Sequence, residues 1–342
     1  MTADPSSSAP PAVSVVVPLY NKAAYVAQAV RSVQAQSFTD LELIVVDDGS
    51  TDDGARIARA AGDHRLRLIH QANAGAGAAR NAGIAAARGR WVAFLDADDT
   101  WRPERLARQL GVLERHPDLA WAAGAFLTLV PDGAPRPSPP LDPAWWADPE
   151  VVGDALLPLT AGGCVWTGTV MVRRDVLAGL GGFEPALRSG QDLFLWVRLA
   201  LDHPRIGYVP GVIADYRAHV RDSITTRKIV DGFTTDIELA QRLIAIGAGV
   251  APERRRLLRS IADRLIAGQV KNQLVAGRFH EARTALATAR ELGLDPPARG
   301  LSLAVRLPAW PTAQACRLVI GVRQRWRRVS RTSSLTPGQS AK

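Results

Sequence analysis

Three carboxylates crowd into four positions at Asp96, Asp98 and Asp99, directly after the wholly apolar run Trp91 to Leu95. Such a run reads as a strand buried on both faces. Uncompensated charge is costly to bury, so the acids belong at the strand's end, against water, a cation or a ligand. Converging carboxylate oxygens suit a hard divalent ion, and Mg²⁺ usually binds through one or two carboxylates plus substrate phosphates. The plainer alternative is an acidic turn capping the next helix, since Asp99 and Thr100 are good N-cap types ahead of Pro103. Two more acids stand at marked places. Asp48 follows the apolar run Leu43 to Val46, inside Asp47-Asp48-Gly49-Ser50-Thr51-Asp52. Asp192 falls in the first turn of a helix that begins Ser189-Gly190-Gln191-Asp192, where the plain reading is that it favours the helix dipole.

The elements that must position these acids can be read from the apolar pattern. Val13 to Val17 is a first strand, ended by Pro18 and the loop Leu19-Tyr20-Asn21-Lys22. A helix follows with Tyr25, Val26, Ala29, Val30 and Val33 on one face. Leu43 to Val46, Leu66 to Ile69 and Trp91 to Leu95 are strands two, three and four. A short helix through Ala61, capped by Ser50 or Thr51, and an alanine-rich helix from Gly75 to Ala87 that holds Arg80 and Asn81 lie between them. Short apolar strands alternating with helices predict βαβ units in a parallel sheet. Right-handed crossovers give a local strand order of 3-2-1-4. That order sets the loops Pro18–Lys22, Asp47–Asp52 and Asp96–Asp99 side by side at the carboxyl edge, where open α/β sheets bind ligands.

Beyond these, 102–116 is amphipathic, 120–129 and 170–172 read as strands, and 206–209 and 212–216 as two closing strands. Six prolines between 131 and 143 predict an exposed, semi-extended loop, with a flap over the site as one option. The helix from Gln191 to Asp202 turns Leu193, Trp196, Val197 and Ala200 inward. From Asp231 the texture changes to helices rich in Ala, Leu and Arg, at about 231–246, 252–276 and 278–292. The expected organisation is a leader (1–12), an α/β catalytic region (13–222, split near 130 into a donor half and an acceptor half), a helical extension (231–297) and a basic tail (298–342).

Composition narrows the function classes. A chain of 342 residues with 47% hydrophobic content is globular and long enough for one large core or two modest ones. Nine basic residues and no acidic one follow Asp295, and removing these nine from 42 Lys+Arg leaves 33 against 33 Asp+Glu. The body is neutral, which argues against nucleic acid as a partner. The tail sets Leu318, Val319, Val322 and Trp326 among its arginines. Such a segment either lies against an anionic membrane surface or packs on its own domain. Cys164 and Cys316 stand far apart, with neither a disulfide framework nor metal-ligand spacing. The leader has no basic start, and no apolar run reaches the ~18–20 residues of a membrane span. A cytoplasmic protein follows, with its tail available to the inner face of the membrane.

Taken together, VSVVVPLYNKAAYVAQAVRSVQAQSFTDLELIVVDDGSTDDG and NAGAGAARNAGIAAARGRWVAFLDADD resemble the family 2 glycosyltransferases. The match continues more loosely through GGFEPALRSGQDLFLWVRLA to about residue 220 and stops there. The resemblance implies an A-type glycosyltransferase fold and a nucleotide-diphosphate sugar donor. It also implies a Mg²⁺ or Mn²⁺ cofactor, a glycan or lipid-linked acceptor, and inversion at the anomeric carbon. It places Pro18, Tyr20 and Asn21 around the base and ribose, gives Asp48 to the nucleobase, and counts Arg80 with the donor site. Asp96 would lie near the ribose, Asp98 on the metal, and Asp192 would be the catalytic base. Gln191 stands where the family usually has Glu. His219 matches a spot where the family often places a polar contact to the diphosphate, and reads more readily as a surface histidine. The family's common setting is surface polysaccharide or lipid-linked glycan assembly. No Gly-rich signature follows the first strand, which sets aside a nucleotidyltransferase or a Rossmann dehydrogenase. A non-catalytic nucleotide-sugar binder or scaffold using the helical region stays as the alternative from another class.

Overall fold

The computed structural model describes residues 9–131, 133–218 and 235–294. His219, most of the leader and the basic tail lie outside them. The chain opens with strand β1 (Val13–Leu19), helix α1 (Val26–Gln34), β2 (Leu41–Asp48), α2 (Gly54–Ala61), β3 (Leu66–Gln71), α3 (Ala76–Ala86) and β4 (Trp91–Phe94). β1 pairs parallel with β2 and β4, and β2 with β3, so the expected 3-2-1-4 order is present.

Side chains alternate across a strand, and that alternation divides the core. Val13, Val15, Val17, Leu43, Val45 and Ala93 face a layer closed by Val26, Ala29, Val30 and Val33 of α1. Val16, Ile44, Val46, Val92 and Phe94 face the opposite layer, with Ala79 of α3. Both faces being buried, the strands are mostly apolar and rich in valine and isoleucine, and the polar exceptions before their carboxyl ends, Ser14 and Glu42, hydrogen-bond to each other. α3 lies unusually close to the sheet. A Cβ at Gly83 would stand 2.3 Å from a Val16 methyl, so only glycine permits that approach.

The second half continues with β5 (Thr100–Trp101), α4 (Arg105–Arg115), β6 (Trp121–Leu129), β7 (Arg136–Pro137), β8 (Trp146–Asp148) and β9 (Val151–Val152). Then come α5 (Leu156–Ala161), β10 (Met171–Arg173), α6 (Arg174–Gly179), α7 (Gln191–Asp202) and β11 (Ile206–Arg217). Among the described residues the eleven strands form one mixed sheet, ordered β3-β2-β1-β4-β10-β6-β11-β9-β8, with β5 on β11 and β7 on β6.

Four sequence expectations are corrected here. The two closing strands are one strand, β11, whose register shifts between Val209 and Ala214. Pro210 and Gly211 sit in that gap, and Pro has no N–H for the ladder. The proline-rich stretch is exposed and extended as expected but is no free flap, because β7 pairs antiparallel with β6 and Ser138 exchanges hydrogen bonds with Phe126. Neither Ser50 nor Thr51 caps α2; Asp52 Oδ1 accepts from the Gly54 N–H at 2.9 Å instead. α7 buries more than one stripe, since Phe194, Leu195, Val197 and Leu199 are buried while Leu193 is only partly so.

Three helices complete the described chain: α8 (Thr235–Gly247), α9 (Pro252–Val275) and α10 (Phe279–Glu291). They share a core of their own around Ala240, Ala262, Ile266, Val270, Ala282 and Leu286. Leu239, Leu243, Leu258 and Ile261 instead join the main core with Trp196. Among the described residues no helix is long and apolar enough to cross a membrane.

Candidate active site

The loops after β1, β2 and β4 meet at the carboxyl edge, and hydrogen bonds tie them together. Asn21 adopts a left-handed backbone (φ 50°), which asparagine tolerates better than most residues. Its N–H donates to Ser50 Oγ (3.1 Å), and its side-chain oxygen accepts from the Thr51 N–H (2.8 Å). The Ala23 N–H donates to Asp52 Oδ2 at 2.9 Å. Lys22 reaches across to the third loop, with its ammonium 2.9 Å from Asp98 Oδ2 and both side chains largely buried. Tyr20 stands at the rim, 37% exposed, and Pro18 is half-buried in the strand end.

Asp48 is buried and holds the loop that leads into α3. Its Oδ1 accepts from Gln71 Nε2 (2.7 Å) and the Ala74 N–H (2.9 Å), and its Oδ2 from the Gly75 N–H (2.8 Å). A carboxylate oxygen offers two lone pairs. Oδ1 is therefore filled, and Oδ2 retains one direction for a ligand donor such as a base N–H.

Arg80 projects from α3 and is 5% exposed. Its Nη2 donates to Asp96 Oδ1 at 2.6 Å, and its guanidinium stacks 5.3 Å from the Phe183 ring centroid. Burial alone would weaken its hold on its proton. Attraction to Asp96, Asp192 and Asp98 outweighs burial and keeps it above the ordinary arginine value. One cation is thus attracted by three of the five acids singled out in the sequence, on two separate elements.

Asp99 caps no helix. α4 begins at Arg105 with no side-chain cap, and Asp99 Oδ1 accepts from the Arg217 N–H at 2.7 Å, closing the end of β11 over the acidic loop. Its Oδ2 is buried without a partner. Burial first, then the charges of Asp98 and Asp96, push its carboxyl well above the usual carboxylate range. Of the three acids in the loop, Asp96 and Asp98 are therefore paired with Arg80 and Lys22, while Asp99 is driven toward its neutral form.

Asp192 opens α7 after Gly190, whose left-handed backbone (φ 74°) turns the chain into the helix. Its Oδ1 accepts from the Leu193 N–H (2.8 Å) and its Oδ2 from Thr167 Oγ1 (2.9 Å). The residue thus has side-chain partners of its own beyond the helix dipole.

Of the residues singled out, the structure gathers Pro18, Tyr20, Asn21, Asp48, Arg80, Asp96, Asp98 and Asp192 around one edge of the sheet. His219 lies outside the described residues. Sequence reasoning missed three: Lys22, Asp99 as a buried acid, and Thr167. Lys22 carried a usable signal, being one of four lysines in a chain that otherwise spends arginine. Lysine is a compact point charge on a flexible stem. Thr167 carried none, because its partner is 25 positions away.

The acidic loop fits a divalent cation. Asp96 and Asp98 are hard oxygen donors with side chains 29% and 14% exposed, and Lys22 already sets a positive charge against Asp98. Among the described residues no three His, Cys, Asp or Glu side chains form a closed cage. Two carboxylates completed by substrate phosphates are the arrangement Mg²⁺ and Mn²⁺ take.

Comparisons with known proteins bear on the family and the fold. The family model for glycosyl transferase family 2 matches residues 14–180. The putative teichuronic acid biosynthesis glycosyltransferase TuaG of Bacillus subtilis is 34% identical over 222 residues, spanning 64% of this chain and 83% of that protein. The chain belongs to glycosyl transferase family 2. A second relative, the succinoglycan biosynthesis protein ExoO of Rhizobium meliloti, is 31% identical over 307 residues, covering 87% of this chain and 82% of that one. Among solved structures, the Pyrobaculum calidifontis mannosyltransferase PcManGT, in complex with GDP-Man and Mn²⁺, superposes with a TM-score of 0.56 at 23% identity over 95% of this chain and 90% of that one. Staphylococcus aureus TarS with UDP gives 0.52 at 20% identity over 82% of this chain and 89% of that one. At such identities the likeness is one of fold, and the fold of this glycosyltransferase is A-type.

Proposed function

We propose that the protein transfers a sugar from a nucleotide-diphosphate sugar to an acceptor hydroxyl, with inversion and with a divalent cation. The observation that supports this reading is Arg80, which pairs with Asp96 at 2.6 Å and is attracted by both Asp192 and Asp98. Asp48 offers its free lone pair to the nucleobase, and Tyr20, Pro18 and Asn21, from the neighbouring loop after β1, flank the base and ribose. Asp96 stands beside the ribose and Asp98 holds the cation, with Lys22 alongside. When bound, the cation neutralises the charge that develops on the leaving diphosphate. Asp192 takes the acceptor's proton from the opposite face of the sugar. The acceptor oxygen then bonds to the anomeric carbon as the bond to the diphosphate breaks.

The relatives TuaG and ExoO are named for teichuronic acid and succinoglycan biosynthesis. Their names support a setting in surface polysaccharide or lipid-linked glycan assembly. The nine-charge tail supports a station on an anionic membrane surface, where a lipid-linked acceptor would be met.

The test is donor turnover. UDP-glucose, UDP-N-acetylglucosamine and GDP-mannose are each incubated with the protein and Mn²⁺, and release of nucleoside diphosphate is followed. Turnover of at least one donor, abolished by a chelator and restored by added metal, is expected. Tight donor binding without turnover would make the protein a nucleotide-sugar binder instead.

A further inference from the structure

Asp192 is not held by its own helix alone, and its second partner is itself braced from behind. Thr167 begins a single 3-10 turn, Thr167–Thr169, and is 2% exposed. Three side chains downstream of the acidic loop donate to three successive carbonyls of this segment. Trp101 Nε1 donates to Gly168 O (2.9 Å), Gln109 Nε2 to Thr169 O (2.8 Å) and Arg105 Nη2 to Val170 O (3.1 Å). Arg105 is fully buried, its guanidinium lies 3.6 Å from the Trp101 ring centroid, and its Nε and Nη1 have no hydrogen-bond partner. Burying a cation without a carboxylate is costly. A turn of three residues that needed only to connect a core residue to β10 would not require it.

Resting on the reading of Asp192 as the base, we propose that Thr167 is its positioning residue, and that Trp101, Arg105 and Gln109 form a clasp which fixes Thr167. A carboxylate turns freely about its last bond unless both oxygens are held. The Leu193 N–H holds Oδ1 and the Thr167 hydroxyl holds Oδ2, leaving one lone pair on each for the acceptor. Arg80 attracts the same carboxylate. Without Thr167, Asp192 would swing toward that cation and present its oxygens away from the acceptor. The clasp also starts two residues after Asp99, so the segment that carries the acidic loop sets the base's orientation. In the reaction the hydroxyl's proton passes to the carboxylate oxygen facing it. The freed electron pair bonds to the anomeric carbon, and the pair of the broken bond leaves with the diphosphate. Thr167 gives up no proton in this step and keeps its own bond to Oδ2.

The test uses the full chain and whichever of the three donors turns over, with water as the acceptor. Thr167→Val keeps the shape and removes the hydroxyl. Its kcat is expected to fall roughly 10- to 100-fold, the scale of a misoriented reacting group, with the donor KM, UDP affinity in Mn²⁺ and melting temperature unchanged. Thr167→Ser should recover kcat to within about 3-fold, because it restores the donor. If the valine variant does not fold, Thr167→Ala is read in its place. A hydroxyl-free variant with the parent kcat overturns the proposal, as does a serine variant as slow as the valine one. Asp192→Asn is measured alongside. Should it turn over donor at the parent rate, the base reading has failed. Should it be inactive while Thr167→Val is fully active, only the positioning role has failed.

Discussion

Single residues in this site do two jobs, and the structure changes what their loss should do. Asp48 looks in the sequence like a ligand contact alone. Folded, it accepts three hydrogen bonds from the loop 71–75. Asp48→Ala would leave those donors without their charged acceptor, at a cost of about 3 kcal/mol. The variant should both melt earlier and lose UDP affinity. Calorimetry and thermal melts on the same preparation decide it: lost affinity with an unchanged melting temperature would mean the three bonds contribute nothing. Asp99 makes a pH prediction. In the unfolded chain it releases its proton near the ordinary value of about 4. Folded, burial and its acidic neighbours keep the proton on to higher pH. The folded state therefore binds more protons between the two values, and stability present below the ordinary range is lost as pH rises through the folded value. Asp99→Asn cannot ionise. In chelator, its advantage in melting temperature over the parent should widen as pH is raised from about 4, then level off. A constant difference would show that Asp99 ionises normally.

At the level of elements, α7 carries Asp192 at its first turn and is secured at its last. Arg254 of α9 donates through Nη1 to the carbonyls of Ala200 and Leu201, both at 3.1 Å. Those carbonyls lack helical partners, and the negative end of the helix dipole favours a cation there. Arg254→Ala should cost about 1–2 kcal/mol in urea unfolding, and an unmoved midpoint would reduce the contact to surface decoration. That contact was invisible in the sequence, where Arg254 is one of three consecutive arginines. β1, β2 and β4 were legible because burial on both faces demands uninterrupted apolar runs such as Val13 to Val17. Their loops were legible because charge cannot follow such a strand inward. β5, β7 and β9 span two residues each, too short to show any period. The antiparallel entry of β10 between β4 and β6 depends on contacts distant in sequence, which no local pattern records. Within the site, Asp48, Asp96, Asp98 and Asp192 announced themselves by charge against an apolar background. Thr167 did not, since a threonine beside a tryptophan is ordinary until Asp192 is folded against it.

For the whole molecule, the change of composition at Asp231 suggests a catalytic region followed by a separable helical one. The packing argues for a more intimate relation. Leu239, Leu243, Leu258 and Ile261 are completely buried in the same core as Phe94, Phe183 and Trp196. Arg264 of α9 also donates to the carbonyls of Thr160 and Leu159 at the end of α5. Fully burying one aliphatic side chain contributes about 1.5–3 kcal/mol, so four of them rival the ~5–15 kcal/mol by which a typical domain is stable. Removing α8 to α10 would also uncover the face of α7 that holds Trp196, and Leu239 would no longer press on Gly190, where a Cβ would meet it at 2.6 Å. A chain ended at residue 230 should therefore fail to fold cooperatively, or melt far below the full chain, instead of surviving as an independent transferase. Differential scanning calorimetry of the two forms distinguishes the readings. A shortened chain with the parent's melting temperature and undiminished donor hydrolysis would mean that the helices are an appendage. An early or absent transition would mean that the helical region completes the fold that holds Asp192 in place.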